Sequence, residues 1–369
     1  MKEASMFASL TIARRSAALV ALVAIATLAT TTSPSLTRAA DLPALAAAKD
    51  QTSVSGISSG AYMAGQYQIA HSASVVGAAI IAGGPYGCAE AKYGGFMLPS
   101  MRLASNAWQS LDGCMLDRLS FYGTPDVPRM EADTRALASA GRIDPLAGLA
   151  RQRVYIFSGG KDNVVKPRMA VLAAELYLRL GVPRAQIKTA HLDGAGHGFV
   201  TVREPAQACG LSKPPYIVGC GNYDQAWHLL SHIYELAGPR VERPTGDLIL
   251  FDQQPFTRDL PTATMSDNGM VFIPKSCRTE PGCRIHIAFH GCRQNRKAAG
   301  ETFITETGYT NWADANRIVV LFPDVTVDRT RNPLGCWDWW GYTSFDYLTR
   351  SAPQITAVRR MVERLSARP

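Results

Sequence analysis

The sequence predicts an α/β fold, with a mostly parallel central sheet flanked by helices and tied together by disulfides. Three observations carry this. Short apolar, β-branched runs alternate with longer helix-compatible stretches. A glycine-flanked serine, Gly56-Ile57-Ser58-Ser59-Gly60, separates a strand-like from a helix-like segment. An aspartate and a glycine-bracketed histidine each follow a later strand-like run, and open α/β sheets collect their active residues at such strand ends.

The first element is not part of that fold. Arg14 and Arg15 precede an apolar run from Ala17 to Leu28 and a polar stretch ending at Ala39 and Ala40, the pattern of a secretory signal peptide over residues 1–40. The run is too short to span a bilayer, so a membrane anchor is not expected. Ser16, Ala17 and Ala18 match a twin-arginine signal poorly, which favours the general secretory route; Arg38 stands where a cleavage site prefers a small residue. Removing Lys2, Arg14, Arg15 and Arg38 together with Glu3 lowers the net charge from +8 to +5. No lysine or arginine run marks a nucleic-acid groove. Residues 41–369 contain no flexible linker and no internal repeat, so they are expected to form one catalytic domain, monomeric and secreted, without a separate substrate-binding domain.

Gln51 to Ser55 alternates polar and apolar residues like a strand, and Ala61 to Ala70 follows as a proline-free helix. Small glycines on either side of Ser58 permit a strained strand-to-helix turn that lifts the hydroxyl clear of the backbone, which nominates Ser58 as nucleophile.

Val154 to Ser158 is the next short strand-like run, and Asp162 lies just beyond it. Lys166 to Leu180 supplies a helix and Ile187 to Leu192 another strand, which runs into Asp193-Gly194-Ala195-Gly196-His197-Gly198-Phe199. That glycine-rich loop would hold His197 exposed. The chain order is therefore serine, aspartate, histidine, as in α/β-hydrolases. His197 would take the Ser58 proton, and Asp162 would fix the imidazole tautomer. Asp193 is the rival acid, but it more naturally turns the loop through its own backbone. His71 and His191 fall within predicted helix and strand.

An oxyanion needs two amide donors. The residue after the nucleophile, Ser59, supplies one. The other normally comes from an HG loop after an earlier strand, yet here the HG sequence, His290-Gly291-Cys292, follows Ile285 to Phe289, far downstream. Around it, Leu248 to Pro323 reads as strands, with a helix near Thr305 to Ala315. The front half of the hydrolase sheet stands at the back of the chain, a circular permutation that close termini make feasible. A last helix is expected from Gln354 to Leu365.

The eight cysteines, Cys88, Cys114, Cys209, Cys220, Cys277, Cys283, Cys292 and Cys336, all follow the leader and favour disulfides. Connectivity does not follow from sequence, since roughly a hundred pairings exist. Short spacing favours Cys209 with Cys220 and Cys277 with Cys283, leaving Cys88 with Cys114 and Cys292 with Cys336. A metal site is not expected, because there is no CxxC pair and no HExxH around His228 and His232. Trp337, Trp339, Trp340 and Tyr342 place four large rings in six residues, either as core or as an apolar wall for an ester.

Together, GISSG, GGKDNVV around Asp162, GAGHGF around His197, the late HGC and CWDWWGY from Cys336 to Tyr342 resemble the single-domain, circularly permuted polyhydroxybutyrate depolymerases across most of residues 50–345. The resemblance implies a Ser58–His197–Asp162 triad, an oxyanion hole from the amides of Ser59 and Cys292, a Cys292–Cys336 bond, and Trp337 lining the substrate crevice. It further implies a cofactor-free serine esterase acting on poly(3-hydroxybutyrate) or hydroxyalkanoate oligomers. A feruloyl or acetylxylan esterase shares the triad argument and differs only in the pocket, and a non-catalytic binding protein on the same fold is the remaining alternative.

Overall fold

The computed structural model describes residues 39–91, 99–118, 124–204 and 206–369. The leader expected over residues 1–40 lies almost entirely outside the described residues. In chain order the strands are β1 (Thr52–Ile57), β2 (Val75–Ile81), β3 (Arg153–Gly159), β4 (Ile187–Leu192), β5 (Phe199–Thr201), β6 (Gln207–Ala208), β7 (Ile217–Gly219), β8 (Asp247–Asp252), β9 (Asn268–Ile273), β10 (Arg284–Phe289) and β11 (Ile318–Phe322). The longer helices are α1 (Ser59–Ala70), α2 (Pro99–Asp112), α3 (Val127–Ser139), α4 (Arg168–Arg179) and α5 (Gln225–Tyr234), with a last helix over Pro353–Ser366.

Eight of the strands form one sheet in the order β4-β3-β2-β1-β10-β11-β9-β8, and β5-β7-β6 form a small second sheet. The pairs from β4 through β11 are parallel, whereas β9 runs antiparallel to both β11 and β8. The fold is thus mixed α/β with a mostly parallel central sheet, as the sequence predicts. The first strand of the chain sits in the middle of this sheet, with β2 on one side and the late β10 on the other. That arrangement is the permutation made visible: the chain enters at the centre, builds outward to β4, and returns with β8–β11 to complete the opposite half. The two ends of the folded unit meet. Leu45 N–H donates to Leu365 O at 3.0 Å and Ala46 N–H to Ala367 O at 2.8 Å.

Strand residues alternate between two cores, one on each face of the sheet. On β3, Val154 and Ile156 join the layer under α1, α4 and the last helix, while Tyr155 and Phe157 join the layer under α5. Helix α1 is buried along its whole length, which explains why its sequence shows no polar stripe. The helix expected over Thr305–Ala315 is instead two short turns, Thr302–Glu306 and Tyr309–Ala313. Gly308, at φ 82°, breaks them by taking a left-handed conformation. Four disulfides close the described chain: Cys88–Cys114, Cys209–Cys220, Cys277–Cys283 and Cys292–Cys336. Among the described residues no helix is long and apolar enough to cross a membrane.

Candidate active site

Ser58 occupies the sharp turn between β1 and α1, at φ 58° and ψ −122°, a conformation that L-residues avoid unless the surroundings impose it. Its N–H donates to Ile81 O at 3.0 Å, and its carbonyl accepts from Ala61 N at 2.9 Å and Tyr62 N at 3.2 Å, so the strained peptide is held from three directions. The flanking glycines are there because the turn leaves no room. A Cβ on Gly56 would stand 2.1 Å from Gly60 O, and one on Gly60 would stand 2.3 Å from Phe289 O.

Asp162 and His197 follow the ends of β3 and β4. Asp162 Oδ1 accepts from Val164 N and Val165 N, both at 2.8 Å, which fixes the carboxylate just beyond β3. Its other oxygen, Oδ2, lies 2.8 Å from His197 Nδ1. A carboxylate only accepts, so Nδ1 carries the proton and Nε2 is left as the basic nitrogen. Both side chains are almost completely buried. The loop carrying His197 is held by Ser212 Oγ, which accepts from His197 N at 2.8 Å, and by Cys209 O, which accepts from Gly196 N at 2.8 Å next to the Cys209–Cys220 bond. Tyr216 presents its ring to the imidazole edge-on at 5.5 Å. Asp193, the rival acid, is fully exposed and 3.3 Å from His191 Nε2. It makes no approach to His197.

Ser58 and His197 line one crevice of about 210 Å³, together with Ile57, Met115, Val164, Tyr216 and the Gly291–Gln294 turn, with Leu334 at its rim. Among the described residues Ser58 Oγ makes no hydrogen bond; it faces the same crevice as His197.

Two backbone amides stand beside Ser58 without an acceptor of their own among the described residues. Ser59 is the first residue of α1, so its N–H has no acceptor within the helix and stands at the positive end of the helix dipole. Its hydroxyl accepts from Trp337 N at 3.3 Å. Gly291 packs against Ser58, where an added Cβ would meet Ser58 Cβ at 3.3 Å. The following Cys292 N–H has no acceptor among the described residues, and its side chain is bonded to Cys336.

Trp337 departs from the expectation that it lines the crevice. Its ring is fully buried, packed edge-on against Phe289 at 4.9 Å and tilted against His290 at 5.6 Å, so it supports the crevice from beneath. The expectation came from the resemblance to the family; here the ring directly after the Cys292–Cys336 bond lies in the core. Trp339 packs on Tyr62, with stacked rings 4.1 Å apart, and Trp340 is only partly buried. The crevice wall is made instead by Met115, Tyr216 and Leu334, which no motif marked in the sequence.

Beneath the site, His286 bridges Ser53 Oγ at 2.6 Å and Ser55 Oγ at 2.7 Å, tying β10 to β1, and Tyr309 OH reaches Ser55 Oγ at 2.6 Å. Burial pushes the His286 imidazole down to about 3. The same desolvation lowers His290, partly opposed by Asp324. His228 stacks on Tyr223, and His232 Nε2 donates to Gln186 O at 2.9 Å.

No family model matches the chain. It is 37% identical over 334 residues to a poly(3-hydroxybutyrate) depolymerase of Delftia acidovorans, a match that covers 89% of this chain but only 62% of that protein's length. To a polyhydroxybutyrate depolymerase of Talaromyces funiculosus it is 31% identical over 341 residues, covering 88% of this chain and 92% of the relative. Among solved structures it is similar to the PHB depolymerase from Penicillium funiculosum, at a TM-score of 0.76 and 30% identity over 88% of this chain and 98% of that one. A PHB depolymerase with a serine-to-alanine substitution, complexed with an R3HB trimer, matches equally well. With its sheet order, its strained GxSxG turn and a relative that it matches at 31% identity over 92% of that relative's length, the chain belongs to the polyhydroxybutyrate depolymerase family.

Proposed function

We propose that the protein is an exported serine esterase that cleaves ester bonds of poly(3-hydroxybutyrate) or its short oligomers. The observation that carries this reading is the buried 2.8 Å contact between His197 Nδ1 and Asp162, opening on the crevice that holds Ser58. Membership of the family supports the substrate class, and the relative complexed with an R3HB trimer supports oligomers within it.

In the reaction, His197 Nε2 takes the Ser58 proton as Oγ attacks the ester carbonyl carbon. The carbonyl π electrons move onto oxygen, where the N–H groups of Ser59 and Cys292 stabilise the developing charge. Collapse of the tetrahedral adduct expels the alkoxide of the neighbouring unit, which takes the proton back from His197. An acyl-enzyme remains on Ser58. Water, deprotonated by the same imidazole, attacks it, and Ser58 leaves with the proton restored.

At about 210 Å³ the crevice is smaller than the ~300–1,000 Å³ of pockets that enclose drug-sized ligands. It therefore encloses only a short stretch around the scissile ester. A leader over residues 1–40 accounts for export, and four disulfides suit an oxidising compartment. The test is to incubate the purified protein and its Ser58→Ala variant with an amorphous polymer film and a defined 3-hydroxybutyrate trimer. The wild type is expected to release soluble 3-hydroxybutyrate species and the variant to release none. Turnover by the folded variant would sink the assignment of Ser58, and activity confined to feruloyl or acetyl esters would sink the substrate class.

A further inference from the structure

The amide of Cys292 stabilises charge only if its peptide plane points at the crevice. That plane includes the Gly291 carbonyl, so whatever holds the carbonyl aims the N–H. His290 Nδ1 lies 2.8 Å from Gly291 O. A carbonyl only accepts, so Nδ1 bears the proton and donates. On the far side of the ring, Nε2 faces Val325 N–H at 3.5 Å and Asp324 Oδ1 at 3.4 Å. A proton on Nε2 alone would favour the longer Asp324 contact and turn a bare Nδ1 lone pair on the carbonyl at 2.8 Å. The shorter contact decides the tautomer. Asp324 is already engaged, accepting from Arg296 N at 3.0 Å and Ser266 Oγ at 2.6 Å.

The other side of Gly291 is held as well. Its N–H donates to Gln294 Oε1 at 2.7 Å, and Gln294 Nε2 donates to Pro215 O at 2.7 Å, next to the Tyr216 that packs on His197. Gln294 N also donates to Gly291 O at 3.2 Å. Both polar backbone groups of Gly291 are thus gripped by buried side chains, while the next N–H has no partner among the described residues. A hydrogen bond accepted by a carbonyl also polarises the amide it belongs to, making its N–H a better donor.

We propose that His290 and Gln294 are positioning residues for the oxyanion hole: their side chains clamp the Gly291–Cys292 peptide so that Cys292 N–H points at the developing oxyanion. Both act through the peptide: His290 does not line the crevice, and Gln294, which does, holds Gly291 N–H with its amide oxygen. The inference rests on the serine esterase reading, so the experiment separates the two. Labelling of wild-type Ser58 by a fluorophosphonate tests that reading first, and an unlabelled wild type would overturn both. With labelling established, His290→Leu removes the Nδ1 donor, whereas His290→Asn keeps an N–H donor at the δ position. Full loss of an oxyanion donor costs roughly 100- to 1,000-fold in kcat. Mis-aiming one is therefore expected to lower kcat for p-nitrophenyl butyrate about 10- to 100-fold in His290→Leu. KM should stay within about twofold, affinity for a tetrahedral boronate inhibitor should fall in step with kcat, and His290→Asn should recover most of the loss. Gln294→Met, which removes the acceptor for Gly291 N–H and the donor to Pro215, is expected to show the same kcat-only loss. A folded His290→Leu with kcat within about twofold of wild type would overturn the proposal, as would a loss confined to KM or an Asn variant no better than Leu. If the leucine variant does not fold, ¹⁵N shifts of the His290 ring in the wild type decide: a proton on Nδ1 supports the clamp, and one on Nε2 alone overturns it.

Discussion

At the residue scale, the site is decided by which carboxylate reaches His197. Sequence placed two aspartates near the imidazole, one four residues before it and one 35 residues before it, and the distant one makes the 2.8 Å contact. The reason is local: Asp193 follows the end of β4, where its side chain swings into solvent, whereas two backbone N–H groups after β3 hold Asp162 facing inward. Asp162→Asn would keep the shape of the site but present an amide that donates to Nδ1 and so favours the wrong tautomer. We expect kcat to drop by on the order of 10⁴ with little change in folding, as tautomer reversal does in serine proteases. Steady-state kinetics beside a thermal melt checks this. Asp193→Ala in the same assay should stay within about twofold, since surface changes away from the site are usually small; the reverse pattern would exchange the two roles.

At the element scale, the β1 turn is built from contacts that leave no spare volume. Gly60 lies against the Phe289 and His290 carbonyl oxygens at the end of β10, so an added methyl there meets rigid backbone rather than a side chain that can move. Gly60→Ala is expected to destabilise the fold by about 3 kcal/mol, at the upper end of typical overpacking costs, and to displace Ser58 enough to abolish turnover. Urea denaturation gives the first quantity and hydrolysis of a short ester the second. A variant of unchanged stability would show that β10 yields easily, which its central position between β1 and β11 argues against. The turn was legible in the pentapeptide itself. The helix break at Gly308 was not, because apolar spacing across Thr305–Ala315 fits a continuous helix as well as two short turns.

At the scale of the whole molecule, stability should fall in mild acid, and buried histidines set the direction. His71 ends α1 with its Nε2 buried and unpartnered. Its pKa is pushed down to about 4 by burial first and by Arg359 next, with Arg350 adding to the shift and Asp144 opposing it. Because the folded value lies below the unfolded one, nothing is lost above about pH 6.5. As pH falls from there toward 4 the unfolded chain takes up the proton first and stability declines, by up to about 3 kcal/mol for this group. His286 pushes in the same direction. His71→Leu should therefore flatten the loss between pH 7 and pH 4, as read by urea denaturation at several pH values. Parallel curves for wild type and variant would show that His71 is not the group responsible.

By itself the sequence determined the strand-to-helix turn at Ser58, the order serine, aspartate, histidine, and the displacement of the HGC block to the end of the chain. These are local patterns of glycine, strand-length apolar runs and spacing, and they follow from backbone geometry within a few residues. Only the tertiary structure decided which aspartate pairs with His197, which residues wall the crevice, and that Trp337 lies beneath it. Each of these depends on side-chain direction across segments far apart in the chain, and no local period encodes that. The brace on the Cys292 peptide is of the same kind. His290 and Gln294 stand in plain view beside the HGC motif, but their hold on Gly291 exists only once β10, the 215–216 segment and the 324–325 segment are packed around them.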